Sequence, residues 1–230
     1  MHQEKHLRNS DFITDSVIGL SDGLTVPFAL AAGLSGAVAS NGIIITAGIA
    51  EIVAGSIAMG LGGYLAGKTE MEHYDSELRR EYEEVELLPE KEKEEVRQIF
   101  ADYGLSETSQ TLVVEELAKD KAKWVDFMMK FELGLEKPSL NRARNSALTI
   151  GGAYIVGGFI PLCGYIFTDL PMSGLLASSV LTILSLLIFG YFKSKVTGQP
   201  PLSGALKTML IGVVAAAAAF IVAQFLTGKI

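Results

Sequence analysis

The chain has 230 residues, 49% of them hydrophobic, with a mean hydropathy of +0.35 and a formal charge of −7. That balance excludes an ordinary soluble domain of this size, and the acidic excess excludes a nucleic-acid binder. The single cysteine, Cys163, lies in an apolar run, which excludes an intrachain disulfide framework; no CxxC or Cys/His zinc spacing occurs either.

Charge and apolarity are segregated along the chain. Of the 26 acidic residues, 20 fall between Lys68 and Arg142, against 12 Lys and Arg there. An acidic block of residues 68–142 therefore separates an amino-terminal apolar part, residues 1–67, from a carboxyl-terminal one, residues 143–230. A bilayer core of about 30 Å needs about 20 apolar helical residues. Five stretches meet that length: 12–38, 43–66, 147–167, 174–192 and 205–226. Helices satisfy their own backbone hydrogen bonds in lipid, so an all-α integral membrane protein with five transmembrane helices is expected. The first stretch is too long for a signal-peptide core and contains aspartates, so it is expected to stay in the protein.

Within the first span Asp15 and Asp22 are seven residues apart, two helical turns, and share a face with Thr25. Asp11 marks the edge. Gly19 and Gly23 allow close helix approach, as do Gly63 and Gly67. Pro27 and Pro161 are expected to kink the first and third spans. In the second span Glu51, Gly55 and Met59 recur every four residues and form one stripe. A carboxylate at mid-bilayer costs roughly 2.5–3.5 kcal/mol on insertion scales, so such residues persist where they face a bundle interior, a water path or an ion. Capping and interhelical hydrogen bonding are the structural alternatives.

The acidic block reads as helical throughout. The second span continues unbroken to about residue 86, followed by helices near 89–103, with Pro89 in its first turn, and 107–120. A short amphipathic stretch around Trp124, Phe127, Met128 and Phe131 comes next, ended by Pro138. Glu81 and Glu84, and likewise Glu92 and Glu95, are three apart, so each pair projects from one helical face toward a shared cation. Glu132 follows Met128 by four and Met129 by three, which adds a carboxylate beside a thioether. That mixture suits Fe²⁺ better than Ca²⁺ or Mg²⁺, with nickel, cobalt, manganese and zinc also open. A solvated acidic surface would show the same pairs, and Glu83 and Glu86 form another. His2, His6 and His73 sit at chain ends or helix edges and add no ligand set.

Lys and Arg set the orientation. The short loops after spans one and three carry none. Lys193, Lys195 and Lys207 lie between spans four and five, and Lys5 and Arg8 precede span one. With the amino terminus inside, only Lys229 among the 19 basic residues lies outside. The amino terminus and the acidic block are thus expected in the cytoplasm.

Several runs are specific enough to carry a resemblance. They are Ser21-Asp22-Gly23-Leu24-Thr25-Val26-Pro27-Phe28-Ala29-Leu30, Ala50-Glu51, Ser56-Ile57-Ala58-Met59-Gly60-Leu61-Gly62-Gly63-Tyr64-Leu65 and Phe127-Met128-Met129-Lys130-Phe131-Glu132-Leu133-Gly134-Leu135-Glu136. In these the chain resembles the vacuolar iron transporter family from about Asp11 onward. The resemblance implies a homodimer of five-helix protomers in a lipid bilayer. It also implies a cytoplasmic helical metal-binding domain, and export of Fe²⁺ from the cytosol coupled to protons. It places Asp22 and Met59 on the translocation path at the dimer axis, with Asp15 and Glu51 nearby. It places Glu81, Glu84, Glu92, Glu95, Met128 and Glu132 at metal-binding positions. No prosthetic group and no catalytic residue are implied. The membrane would be vacuolar in a eukaryote and the inner or plasma membrane in a prokaryote. A membrane-anchored iron buffer or ferritin-like oxidase is the alternative, although the acidic block holds a single Glu-x-x-His, Glu70 with His73, where such an oxidase needs one on each of two helices.

Overall fold

Apolar runs bounded by proline, asparagine and glycine become helices in the computed structural model, which describes residues 10–38 and 40–228. Eight helices are found among the described residues: α1 Ser10–Ala37, α2 Asn41–Leu87, α3 Pro89–Asp102, α4 Glu107–Leu117, α5 Lys121–Phe131, α6 Arg142–Ile166, α7 Pro171–Val196 and α8 Pro201–Leu226. The all-α expectation holds, and five of the helices (α1, α2, α6, α7 and α8) are long and apolar enough to cross a membrane. The chain divides into two compact units, one of residues 1–65 with 143–230, the other of residues 66–142. His2, Lys5, His6, Arg8 and Lys229 lie outside the described residues.

In the first unit, α1 packs on α8 and α7, and α7 packs on α8. Helix α6 lies against both α1 and α2 along seams of glycine. A Cβ on Gly157 would sit 3.0 Å from the Leu24 backbone nitrogen and 3.1 Å from the Leu20 carbonyl oxygen. Gly60 of α2 and Gly151 of α6 cross the same way, each with its missing Cβ 3.1 Å from a carbonyl oxygen of the other helix. Such small residues let backbones approach in lipid, where dispersion replaces the hydrophobic effect as the driving force. Gly19 and Gly23 meet the α6 backbone at Ile150 and Tyr154, as the spacing predicts. Helices α1 and α6 run through Pro27 and Pro161 unbroken.

The ends are tied by polar groups. Asn41 Nδ2 donates to the carbonyl oxygens of Thr168 at 2.5 Å and Tyr165 at 3.3 Å, satisfying acceptors that the end of α6 leaves open. Tyr165 Oη and Ser35 Oγ share a buried hydrogen bond of 2.8 Å. Pro171 and Pro201 occupy the first turns of α7 and α8. The apolar spans at residues 147–167, 174–192 and 205–226 are each extended at the amino-terminal end, because their first turns are polar or proline-capped and escape a criterion of apolarity. Val53, Ile57 and Leu61 on α2, and Leu210, Ile211 and Val214 on α8, are exposed, as lipid-facing side chains are.

In the second unit the latter part of α2 packs with α3, α4 and α5 around Tyr74, Val85, Val96, Val114, Trp124, Val125, Met128 and Met129. Ser106 caps α4, accepting from the Ser109 backbone N–H at 3.4 Å, and Asp120 caps α5, accepting from Lys123 N–H at 3.3 Å. Helix α4 is shorter than the sequence suggests, ending at Leu117. Helix α5 ends at Phe131, with Gly134 at φ +64°, well before Pro138. The left-handed glycine, not the proline, turns the chain there.

The α1–α6 seam makes a definite prediction. Gly157→Val should lower the unfolding midpoint of the detergent-purified protein by an amount equivalent to about 1–3 kcal/mol, because it overpacks a backbone-to-backbone contact. Gly152→Val, where a Cβ would meet nothing within 4 Å, should leave it unchanged.

Candidate metal site and membrane carboxylates

Glu81 on α2 and Glu92 on α3 carry their carboxyl groups into the apolar core of the acidic unit, with the residues 1% and 0% exposed. Helix α3 starts at Pro89 after a single-residue break, so Glu92 stands in its first turn. Glu132, the residue that closes α5, brings a third carboxylate, and one oxygen from each of the three lies within 4.8 Å of the others. Glu81 Oε2 and both oxygens of Glu92 are buried without a hydrogen-bond partner in the protein. Buried polar groups are nearly always paired, and unpaired buried charge is costly.

Basic residues rim the cluster without neutralising it. Arg80 Nη2 lies 2.8 Å from Glu77 but 3.7 Å from Glu81, and Arg80 Nε is 3.7 Å from Glu84. Lys91 Nζ lies 3.0 Å from Glu95 and 4.0 Å from Glu92. Glu84 and Glu95 are partly exposed at the edge, where they add negative field. Burial, followed by Glu132 and Glu84, pushes the Glu81 carboxyl up to about 7 against the opposing pull of Arg80. Burial, followed by Glu95 and Glu81, pushes Glu92 up to about 7 against Lys91. Glu132 is raised as well, by burial and then by Glu95 and Glu84; the residue is exposed along its flank, but its carboxyl is turned toward the others. Met128 is fully buried on α5, one turn before Glu132, and Met129 is equally buried beside it.

Five glutamates and a thioether predicted from sequence thus fall in one region, but in unequal roles. Glu81, Glu92 and Glu132 converge. Glu84 and Glu95 form the rim. Glu83 and Glu86 are exposed, and Glu86 pairs with Lys121 at 3.1 Å. His73 is exposed, 3.9 Å from Glu77, and does not join the cluster. Oxygen donors converging on a small volume can hold a divalent cation, with the thioether adding softness.

In the membrane unit Asp15 is buried, while Asp22, Glu51 and Met59 are half-buried. Thr25 turns its hydroxyl back to the Ser21 carbonyl oxygen at 2.6 Å. Glu51 Oε1 accepts a hydrogen bond from the Tyr154 hydroxyl, and Glu51 Oε2 is buried with no protein partner. Tyr154 of α6, 2% exposed, is absent from the residues singled out by sequence. Its signal there is a tyrosine between two glycine pairs, Gly151-Gly152 and Gly157-Gly158.

The VIT family model matches residues 13–224. The chain is 53% identical to "Vacuolar iron transporter 1" of Arabidopsis thaliana over 223 residues, 97% of this chain and 89% of the relative. It is 54% identical to "Vacuolar iron transporter" of Centaurea cyanus over 219 residues, 95% and 89% of the two chains. It is 51% identical to "Vacuolar iron transporter 1" of Tulipa gesneriana over 223 residues, 97% and 90%.

The raised carboxyls fix a pH dependence. Folded Glu81 and Glu92 keep their protons up to about 7, whereas unfolded glutamates release them in the ordinary carboxylate range. The folded, metal-free chain therefore binds more protons in that window. This contribution to stability is full below the window and is lost as pH rises through about 7. A cation needs the deprotonated form, so binding must release protons and tighten with rising pH. Calorimetric titration of the purified protein with Mn²⁺ should show tighter binding at about pH 8 than at about pH 5.5, and the double variant Glu81→Gln with Glu92→Gln should weaken that dependence, leaving the part due to Glu132. Equal affinity at the two pH values would contradict it.

Proposed function

The chain belongs to the VIT family, and from that premise we propose that it transports Fe²⁺ out of the cytosol across a membrane in exchange for protons. The observation that carries this reading is Glu51: a carboxylate within an apolar helix, with one oxygen buried and unpartnered, on the same helical stripe as Met59. A charge kept in such a place is best accounted for by a cation that visits it. Relatives named as iron transporters supply the choice of metal, and the carboxylate–thioether chemistry fits it. Mn²⁺ is a second candidate cargo on the same chemistry.

In this mechanism the acidic unit lies on the cytoplasmic side and concentrates the ion at Glu81, Glu92 and Glu132, with Glu84, Glu95 and Met128 completing the donor set. Asp22 and Met59, with Asp15 and Glu51 nearby, line the path across the membrane. We place that path at the two-fold axis of a homodimer, where carboxylates of both protomers converge. The thioether binds weakly enough to release the ion. Protons arriving from the far side compete with the cation for the same carboxylates, and this competition couples the two fluxes. The membrane is vacuolar by analogy with the names of the relatives. The ion is cargo, and the mechanism needs neither a prosthetic group nor a catalytic residue.

The buried glutamate cluster also favours a second reading, a membrane-anchored iron buffer or ferritin-like oxidase, which would bind without flux. Proteoliposomes distinguish the two. With the lumen acidic, Fe²⁺ uptake should exceed that at equal pH, and Asp22→Ala should abolish it. The double variant Glu92→Ala with Glu95→Ala should weaken metal binding and slow uptake without abolishing the gradient dependence. Metal binding with no gradient-driven flux would favour the buffer, and oxygen consumption on adding Fe²⁺ would favour the oxidase.

A further inference from the structure

Tyr154 is held in a socket made by two glycines on different helices. A Cβ on Gly55 of α2 would sit 2.6 Å from Cζ and 2.7 Å from Cε1 of the tyrosine ring. A Cβ on Gly23 of α1 would sit 2.9 Å from the Tyr154 Cα. Any side chain at either place would displace the tyrosine. Gly55 is one turn after Glu51, and Gly23 directly follows Asp22, so one residue of α6 packs against neighbours of two of the membrane carboxylates. The phenol occupies one oxygen of Glu51 as a hydrogen-bond donor, and the other oxygen is buried without a protein partner.

We propose that Tyr154 is a positioning residue: its hydroxyl holds Glu51 by Oε1, so that Oε2 alone is presented to the transported cation. The inference rests on the transport reading above and adds a selectivity element to it. A hydrogen bond to a carboxylate is among the stronger ones and fixes the rotamer of the group that accepts it. A carboxylate held by one oxygen offers a single donor atom. Ca²⁺ takes six to eight oxygens and often binds a carboxylate through both, so the restraint acts against it. Smaller ions with fewer ligands are not penalised. The tyrosine thus makes Glu51 a one-oxygen ligand and keeps the path closed to an abundant competitor.

The test is Fe²⁺ flux into proteoliposomes, kept reduced with ascorbate, for the full-length wild type and Tyr154→Phe. The phenylalanine ring keeps the socket filled and removes only the donor. Loss of a hydrogen bond to a charged group predicts a turnover lower by about tenfold. The KM for Fe²⁺ should change by less than about twofold, because metal capture by the acidic unit is untouched. Ca²⁺ should inhibit the variant more strongly than the wild type. Gly55→Ala, which leaves both chemical groups in place but pushes the ring aside, should give the same pair of effects and serves if the first variant does not fold. Unchanged turnover in Tyr154→Phe overturns the proposal. So does a lower turnover with unchanged Ca²⁺ inhibition, which would make Tyr154 a packing residue only. Absence of flux in the wild type would instead overturn the transport reading itself.

Discussion

The removal of carboxylates from water is the constraint on which this molecule is organised. Glu81 Oε2 and both oxygens of Glu92 are buried without a hydrogen-bond partner, and Glu51 keeps one oxygen unpartnered inside an apolar helix. Isolated buried charges are too costly to persist, so each must be met by a proton or a cation. Arg80 and Lys91 stand at the margin of the acidic cluster, where they hold Glu84 and Glu95 but make no hydrogen bond to Glu92. A structural ion-pair network would place its basic groups at the centre. Here the centre holds carboxylates alone, in keeping with the proposed role in binding a cation.

The rest of the fold serves to hold those groups in place. Pro89 starts α3 within two residues of the end of α2, which puts Glu92 opposite Glu81. Trp124, Val125, Met128 and Met129 belong to the apolar core of the same unit, in which Glu81 and Glu92 are themselves buried. In the membrane unit, glycine seams bring α6 close enough to α1 and α2 for the Tyr154 hydroxyl to reach Glu51. The same helix, α2, carries Glu51 in one unit and Glu81 in the other.

Much of this could be read from the sequence because it depends on simple quantities. Span length and apolarity located all five long helices, and the i, i+3 spacing found both glutamate pairs. The spacing could not tell which glutamate of a pair turns inward. That is decided by how α2 and α3 are rotated against the Trp124 and Met128 core, which buries Glu81 and Glu92 and leaves Glu84 and Glu95 at the rim. Met129 proved as buried as Met128, since adjacent helical positions can both face a core that surrounds them on two sides. The end of α5 lies before Pro138, the stop that the sequence suggests, because Gly134 with its positive φ turns the chain first. Nothing in the sequence sets Tyr154 apart from Tyr165 of the same span as a partner of Glu51; the packing against Gly23 and Gly55 does.

The decisive property of the buried carboxylates is whether they are cation ligands. X-ray anomalous scattering from the protein loaded with Fe²⁺ or Co²⁺ tests this most directly. The predicted result is a metal peak bounded by oxygens of Glu81, Glu92 and Glu132. A saturated protein with no ordered metal at these three residues, or with metal bound only at the exposed Glu83 and Glu86, would contradict it.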